Sequence, residues 1–238
     1  MDYFLHAEQI INDGYTIIDN VFDEKEINSI VKEIDQADTS NTTFRITNDL
    51  FAIRQFLKEL PTIKSYVFIE KFNNIVIRLF GDGYFVVKSI YFDKPEKSNW
   101  FVAYHQDLTI SVNQRINMPG FGPWTVKHNQ FAVQPPIDIL RRNFTIRIHL
   151  DDTDETNGAL KVVPGSHAKG ICRLDAINGQ TEKEVFCNIS KGGIMIMRPL
   201  LLHASNRSTS NKRRRVVHIE FSKVELLEPL QWSEKMEI

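Results

Sequence analysis

The sequence predicts a mainly β protein with flanking helices, built as one domain, and three observations lead there. After Gly81 and Gly83, short runs rich in β-branched and aromatic residues recur, separated by Lys94-Pro95, Asn157-Gly158, Pro164-Gly165 and Gly192-Gly193. Their spacing suits an antiparallel barrel or sandwich better than alternating βαβ units. Residues 1–80 instead read as mostly helical. Finally, 238 residues with 42% hydrophobic and 25% charged side chains supply a core of this size without forcing a second domain. The layout is a helical scaffold over 1–80, a β core over 81–222 and a tail over 223–238.

In the scaffold, Gly14 separates a short helix from the strand-like Tyr15-Thr16-Ile17-Ile18. Asp23 and Glu26 form a capping-box pattern, and Ile27, Ile30, Val31 and Ile34 follow at helical spacing. Phe51 to Phe80 reads as two further helical runs broken at Pro61. Strands are expected at Tyr84 to Phe92, Phe101 to Asp107, Asn143 to Asp151, Leu160 to Val163, Ile194 to Arg198 and Arg213 to Phe221. The stretch Ser111 to Gln130, with Gly120, Gly122 and two prolines, reads as a long irregular loop and a candidate lid. Nothing in the composition of Leu226 to Ile238, with Trp232 and Met236, decides between a cap on the barrel and a partner contact.

Twenty-nine basic residues against 30 acidic ones give a net charge of -1, too balanced for a field that steers the chain onto nucleic acid or anionic membrane. No signal-like opening or membrane-length apolar run is present, so a soluble cytoplasmic protein is expected. Two cysteines, Cys172 and Cys187, are too few for a disulfide scaffold or a four-thiolate zinc site. Any metal would be held by nitrogen and oxygen.

His105 and Asp107 in Tyr104-His105-Gln106-Asp107 lie two apart, on one strand face, where an imidazole and a carboxylate can share an ion. With a distant histidine they would make the 2-His-1-carboxylate triad that suits Fe(II) and leaves positions open for small ligands and O2. His149-Leu150-Asp151 is a second copy of the pattern, and periodicity leaves the choice between them open. Along the same strand Phe144, Ile146, Ile148 and Leu150 alternate with Thr145, Arg147 and His149, so the polar face lines a cavity or meets water. In Lys212-Arg213-Arg214-Arg215, alternation turns Arg214 away from its neighbours, which makes the run a poor nucleic-acid stripe. An arginine aimed into a barrel suits a buried carboxylate.

Phe92-Asp93-Lys94-Pro95, His105-Gln106-Asp107, Thr145 to Asp152, Asn157-Gly158-Ala159-Leu160, Pro164-Gly165-Ser166-His167, and His203-Ala204-Ser205 with Arg214 together resemble the phytanoyl-CoA dioxygenase family. The resemblance runs from about Phe80 to Phe221, and Asp13-Gly14-Tyr15 is similar to the family's opening. It implies a double-stranded β-helix core, the cupin-like jelly roll, with Fe(II) and 2-oxoglutarate as cofactor and cosubstrate and O2 as oxidant. On this resemblance His105, Asp107 and His203 match the iron ligands, which favours the earlier H-x-D and leaves His149 in the cavity wall. Arg214 matches the arginine that binds the far carboxylate of 2-oxoglutarate, Ser205 its hydrogen-bonding helper, and Arg147 a cavity-lining position. Tyr104 and Ala204 stand where relatives often carry tryptophan and glycine, and neither change removes a ligand. Family halogenases lack the ligand carboxylate, so Asp107 argues for hydroxylation.

The expected reaction is oxidative decarboxylation of 2-oxoglutarate to succinate and CO2 coupled to hydroxylation of a small molecule. Gln134 and Trp124 are set down as substrate contacts, with turn support and packing as their ordinary alternatives. His6, His128, His167 and His218 are read as structural or exposed, and Glu220 as a partner for Arg214 or His218. Two other readings use the same barrel: a cupin-like isomerase or hydrolase that needs metal but no cosubstrate, and a sensor that binds 2-oxoglutarate without consuming it.

Overall fold

Asp2 starts the first helix by accepting hydrogen bonds from the backbone N–H of Phe4 and Leu5. The computed structural model describes residues 1–38, 40, 43–47, 51–127, 130–172 and 183–238; His128 lies outside them. Helix α1 (Tyr3–Asn12) is followed by Gly14 at φ 84°, which turns the chain into β1 (Tyr15–Ile18). Both halves of the expected capping box at α2 (Glu24–Asp35) are present, the Glu26 N–H donating to Asp23 Oδ1 and the Asp23 N–H to Glu26 Oε2. That closure is worth about 1 kcal/mol. It presents Ile27, Ile30 and Ile34 to the core.

The helical reading of Phe51 onward is corrected at its start. After β2 (Phe44–Ile46), residues Phe51–Arg54 form β3, and Gln55 at φ 53° ends it. A short apolar run serves either structure, and here Phe51 packs on the rings of Phe44 and Tyr91, contacts only a strand provides. Helices resume with α3 (Phe56–Glu59), a 3-10 turn at Pro61–Ile63, α4 (Lys64–Val67) and α5 (Glu70–Phe80).

The remaining elements are β4 (Phe85–Lys94), β5 (Val102–His105), β6 (Ile110–Val112), β7 (Trp124–Lys127), β8 (Gln130–Val133), α6 (Ile137–Arg141) and β9 (Phe144–His149). After them come β10 (Leu160–Val162), β11 (Val185–Phe186), β12 (Ile194–Met197), β13 (His203–Ser205), β14 (Arg214–Ser222) and β15 (Met236–Glu237). An eight-stranded sheet runs β1-β12-β9-β14-β4-β3-β2, with β15 also beside β4. A four-stranded sheet, β11-β10-β13-β5, faces it in the jelly-roll manner.

The third sheet, β6-β8-β7, corrects the loop expected over 111–130. Pro119, Gly120, Gly122 and Pro123 break only the middle of that stretch, while the flanking residues pair at Ser111↔Ala132 and Thr125↔Ala132. The tail is integrated: Trp232 is buried against Phe85, Val112 and Leu200 and donates its Nε1–H to the Val224 carbonyl.

Helices α2 and α5 pack Ile27, Ile30, Phe72 and Ile75 onto the outer face of the large sheet, against Ile146, Ile219 and Phe221. Phe144 is stacked between Phe80 and Phe221, with ring centroids 3.6 and 4.9 Å away. Because one face of β9 feeds this core and the other the barrel interior, all six of its residues are buried. Thr145, Arg147 and His149 therefore line the interior, and the water-facing alternative is removed. No helix among the described residues is long and apolar enough to cross a membrane.

Candidate active site

The pairing of β5 with β13 sets His105 directly opposite His203. Asp107 follows just beyond the end of β5, anchored by its backbone N–H on the Pro199 carbonyl at 2.9 Å. His105 Nε2 lies 3.9 Å from Asp107 Oδ1 and His203 Nε2 3.9 Å from Asp107 Oδ2. One potential ligand atom from each residue lies within 4.8 Å of the others. Among the described residues this is the sole group of three or more such side chains.

These donors are arranged for a metal. His105 Nδ1 and His203 Nδ1 each sit 2.9 Å from a backbone carbonyl, Ala103 O and Leu201 O. A carbonyl only accepts, so the hydrogen is on Nδ1 and the Nε2 lone pair faces the centre. Asp107 Oδ2 is buried without a hydrogen-bond partner, a group that an ion would satisfy. Burial alone would raise the Asp107 carboxyl, but the positive potential of His203, His218, Lys88 and His105 outweighs it and holds it at about 2. Burial brings His203 down to about 4 against the pull of Asp107. Around neutrality both groups are in the deprotonated forms that bind metals.

Beside the triad lies a pocket of uncompensated cations. Arg214 is buried, donates from Nη1 to the Gly158 carbonyl at 2.7 Å, and leaves Nε without a partner. Ser205 donates to the same carbonyl at 2.9 Å, so the expected helper and arginine do converge. Lys94 stands directly across the β14–β4 ladder from Arg214, fully buried, donating to the Asn206 carbonyl. Burial and Arg214 push Lys94 down to about 7, and burial and Arg147 push Arg214 down to about 9. His149 Nε2 and Arg147 Nε add two more unpartnered buried nitrogens. Burying cations without counter-charge costs several kcal/mol each, so this pocket is built for an anion.

Sequence reading missed Lys94 as a site residue. Its even spacing from Lys88 marks the two as sharing a face, but only the register with β14 places Lys94 against Arg214.

The competing H-x-D does not assemble. His149 faces inward, bonded to Thr153, while Asp151 accepts from the backbone N–H, Nε and Nη2 of Arg215. Asp93 holds Arg213 in the same two-pronged way, so the basic run is neutralised outside and buried in the middle. Among the described residues Arg147 makes no ion pair with an aspartate; its Nη1 donates to His218 Nδ1 at 3.1 Å. Since arginine only donates, His218 carries its hydrogen on Nε2 and gives it to Glu220, which also takes Lys88 Nζ at 2.7 Å. Trp124 is packed among Val133, Phe131 and their neighbours, and Gln134 bonds through its backbone to Gly122 and Pro123. A cavity of about 510 Å³ is lined by Thr125, Gln130 and Ala132 from this sheet, and by neither Trp124 nor Gln134.

A jelly roll carrying an H-x-D and a distant histidine on facing strands, next to a buried arginine, defines the non-haem iron class of oxygenase folds. The chain belongs to the phytanoyl-CoA dioxygenase (PhyH) family, whose profile matches residues 11–216. Its fold is similar to that of EctD from S. alaskensis, solved with 2-oxoglutarate and 5-hydroxyectoine, at 17% identity, covering 97% of this chain and 82% of that one with a TM-score of 0.72. It is also similar to SnoK, a non-heme alpha ketoglutarate dependent carbocyclase from nogalamycin biosynthesis, at 16% identity, 93% and 84% coverage and a TM-score of 0.69. The epimerase SnoN, in complex with Fe3+, alpha ketoglutarate and nogalamycin RO, matches at 13% identity, 92% and 83% coverage and a TM-score of 0.68. A search of curated proteins finds no match.

Proposed function

We propose that this protein is an Fe(II)/2-oxoglutarate-dependent oxygenase that hydroxylates a small molecule and releases succinate and CO2. The observation that carries the reading is the pairing of two sites: a triad of His105, Asp107 and His203 with free ligand atoms, and beside it buried cations lacking a carboxylate. Iron would be held by the three ligands, and the far carboxylate of 2-oxoglutarate by Arg214 and Lys94, with Ser205 fixing the Gly158 carbonyl that orients the guanidinium. When bound, iron and 2-oxoglutarate together supply the oxidising chemistry with O2.

The chain's own residues position and insulate. The Ala103 and Leu201 carbonyls keep both imidazoles in the ligating tautomer, and Arg147, held by His218, which in turn donates to Glu220, keeps positive potential over the interior. Met195 and Met197, buried opposite Arg147 and Thr145 on the neighbouring strand, help to keep water out. The retained Asp107 favours hydroxylation, while the carbocyclase and epimerase among similar folds mark the outcomes to separate from it. Free Cys172 and Cys187 fit a reducing, cytoplasmic setting.

The test is to add Fe(II) and 2-oxoglutarate under argon and look for the visible charge-transfer band of chelated cosubstrate, with His105→Ala as control. A band lost in the variant supports the reading, and its absence from folded wild type overturns it. A metal-dependent isomerase or hydrolase would turn over without 2-oxoglutarate, and Arg214 and Lys94 would then be unexplained.

A further inference from the structure

Strand β4 is paired with β3 from Ile90 to Asp93 and with β15 at Phe85 and Val86, which leaves a gap in its edge between them. The tail fills the backbone side of that gap: Glu234 accepts from the N–H and Oγ of Ser89, at 3.0 and 2.6 Å. The 510 Å³ cavity opens here, between the large sheet and β6–β8. Lys88 and Thr109 lead from it toward the triad. Thr109 follows Asp107 by two residues, and Lys88 is close enough for its charge to act on Asp107.

The lining is cationic and polar. Lys88 is neutralised by Glu220, and Glu234, already holding Ser89, is pushed up to about 7 by burial. That leaves Arg54, half-buried at the end of β3, and Lys58 on α3, with no carboxylate pairing either one among the described residues. Thr109, Ser111 and Gln130 add hydroxyls and an amide to the same lining, whose apolar members are Ile90, Val112, Phe131, Ala132 and Trp232. Two cations without a carboxylate partner, beside hydroxyls and an amide, match an anion carrying its own hydrogen-bonding groups.

We propose that this cavity is the substrate site and that the substrate is a small hydrophilic acid, its anionic group held by Arg54 and Lys58 and its polar body by Thr109, Ser111 and Gln130. The inference rests on the oxygenase reading for the reaction, but its test is one of binding. Protein is loaded with Fe(II) and saturating 2-oxoglutarate under argon, which occupies Arg214, and is then titrated calorimetrically with two matched pairs: gluconate against gluconamide, and glucose 6-phosphate against glucose. The charged member of at least one pair is expected to bind about tenfold tighter, and which pair discriminates tells carboxylate from phosphate. Arg54→Gln with Lys58→Gln should cut that ratio below about threefold, whereas Glu234→Gln, which keeps an acceptor for Ser89 but removes a charge, should tighten the acid about threefold. Arg54→Gln alone serves if the double variant fails to fold. Equal affinity within both pairs, or discrimination unchanged in the variants, overturns the proposal. The first titration in each run, with 2-oxoglutarate alone, reports separately on the oxygenase reading: no binding there condemns that reading while the four-probe comparison still decides the acid site.

Discussion

Raising the pH from 7.0 to 8.5 should weaken 2-oxoglutarate binding, because Lys94 must be charged to help hold the far carboxylate. In the free protein, burial and the neighbouring Arg214 bring this amine to about 7. It is half charged at pH 7.0 and about 3% charged at pH 8.5, and a bound dianion would keep it protonated throughout. The sign follows: the complex binds more protons than the free protein, so affinity is fullest below pH 7 and falls as pH rises. The protonation ratio gives a loss of about sixteenfold over that interval. His203, at about 4, and Asp107, at about 2, are deprotonated across it and contribute no slope. Calorimetry under argon in two buffers of different ionisation enthalpy measures both affinity and proton uptake, which should approach one proton per cosubstrate at pH 8.5. Lys94→Met should remove most of the slope and of the uptake, leaving a loss of less than about twofold from Arg214, which burial and Arg147 hold at about 9. Glu234 ionises in the same range, so Glu234→Gln is the control and should retain the slope. A pH-independent affinity in wild type, or a Lys94→Met profile like that of wild type, would refute the pairing of Lys94 with the cosubstrate.

Asp107→Ala and His203→Ala should each lower Fe(II) affinity at least about a hundredfold while circular dichroism stays native, since both side chains belong to the ligand cluster and to none of the apolar cores. Gly192→Ala should cost about 3 kcal/mol or more and lower Tm by about 6–12 °C, because an added Cβ at φ +83° would lie 2.2 Å from the Phe22 carbonyl oxygen. Gly81→Ala, at φ +82° and ψ -175° with nothing within 4 Å, should cost about 1–3 kcal/mol from backbone strain alone and less than Gly192→Ala, which adds the clash. Phe144→Ala removes the middle ring of a three-ring stack and should cost about 3–5 kcal/mol in urea denaturation.

Local patterns were legible where one chemical rule acts over a few residues. The Asp23–Glu26 box, the Gly14 break and the shared polar face of Thr145, Arg147 and His149 are all read from spacing and recovered in the fold, which alone turns that face inward. Residues 51–54 and the two ends of 111–130 differ from expectation because β3 and β6 are short strands that pair with β4 and β8 well along the chain, so local pattern is weak and cross-strand contact decides, while 113–123 is irregular as expected. The Arg213 to Arg215 run shows both sides at once. Alternation separates Arg214 from its neighbours, but only the fold brings Asp93 and Asp151 to the outer pair and none to the inner one.

By itself the sequence supplied the residue types and their spacing, an imidazole and a carboxylate two apart, a later histidine and an alternating arginine, and its resemblance to a family implied the chemistry they serve. The tertiary structure decided which residues meet. His105 faces His203 and Lys94 faces Arg214 through strand register, and the gap between β3 and β15, with Arg54 and Lys58 in its lining, is capped by a tail residue, Glu234, more than a hundred positions downstream of the edge it closes. Register is set by the burial of whole sheet faces against separate cores, a condition summed over residues far apart in sequence, and no local spacing encodes it.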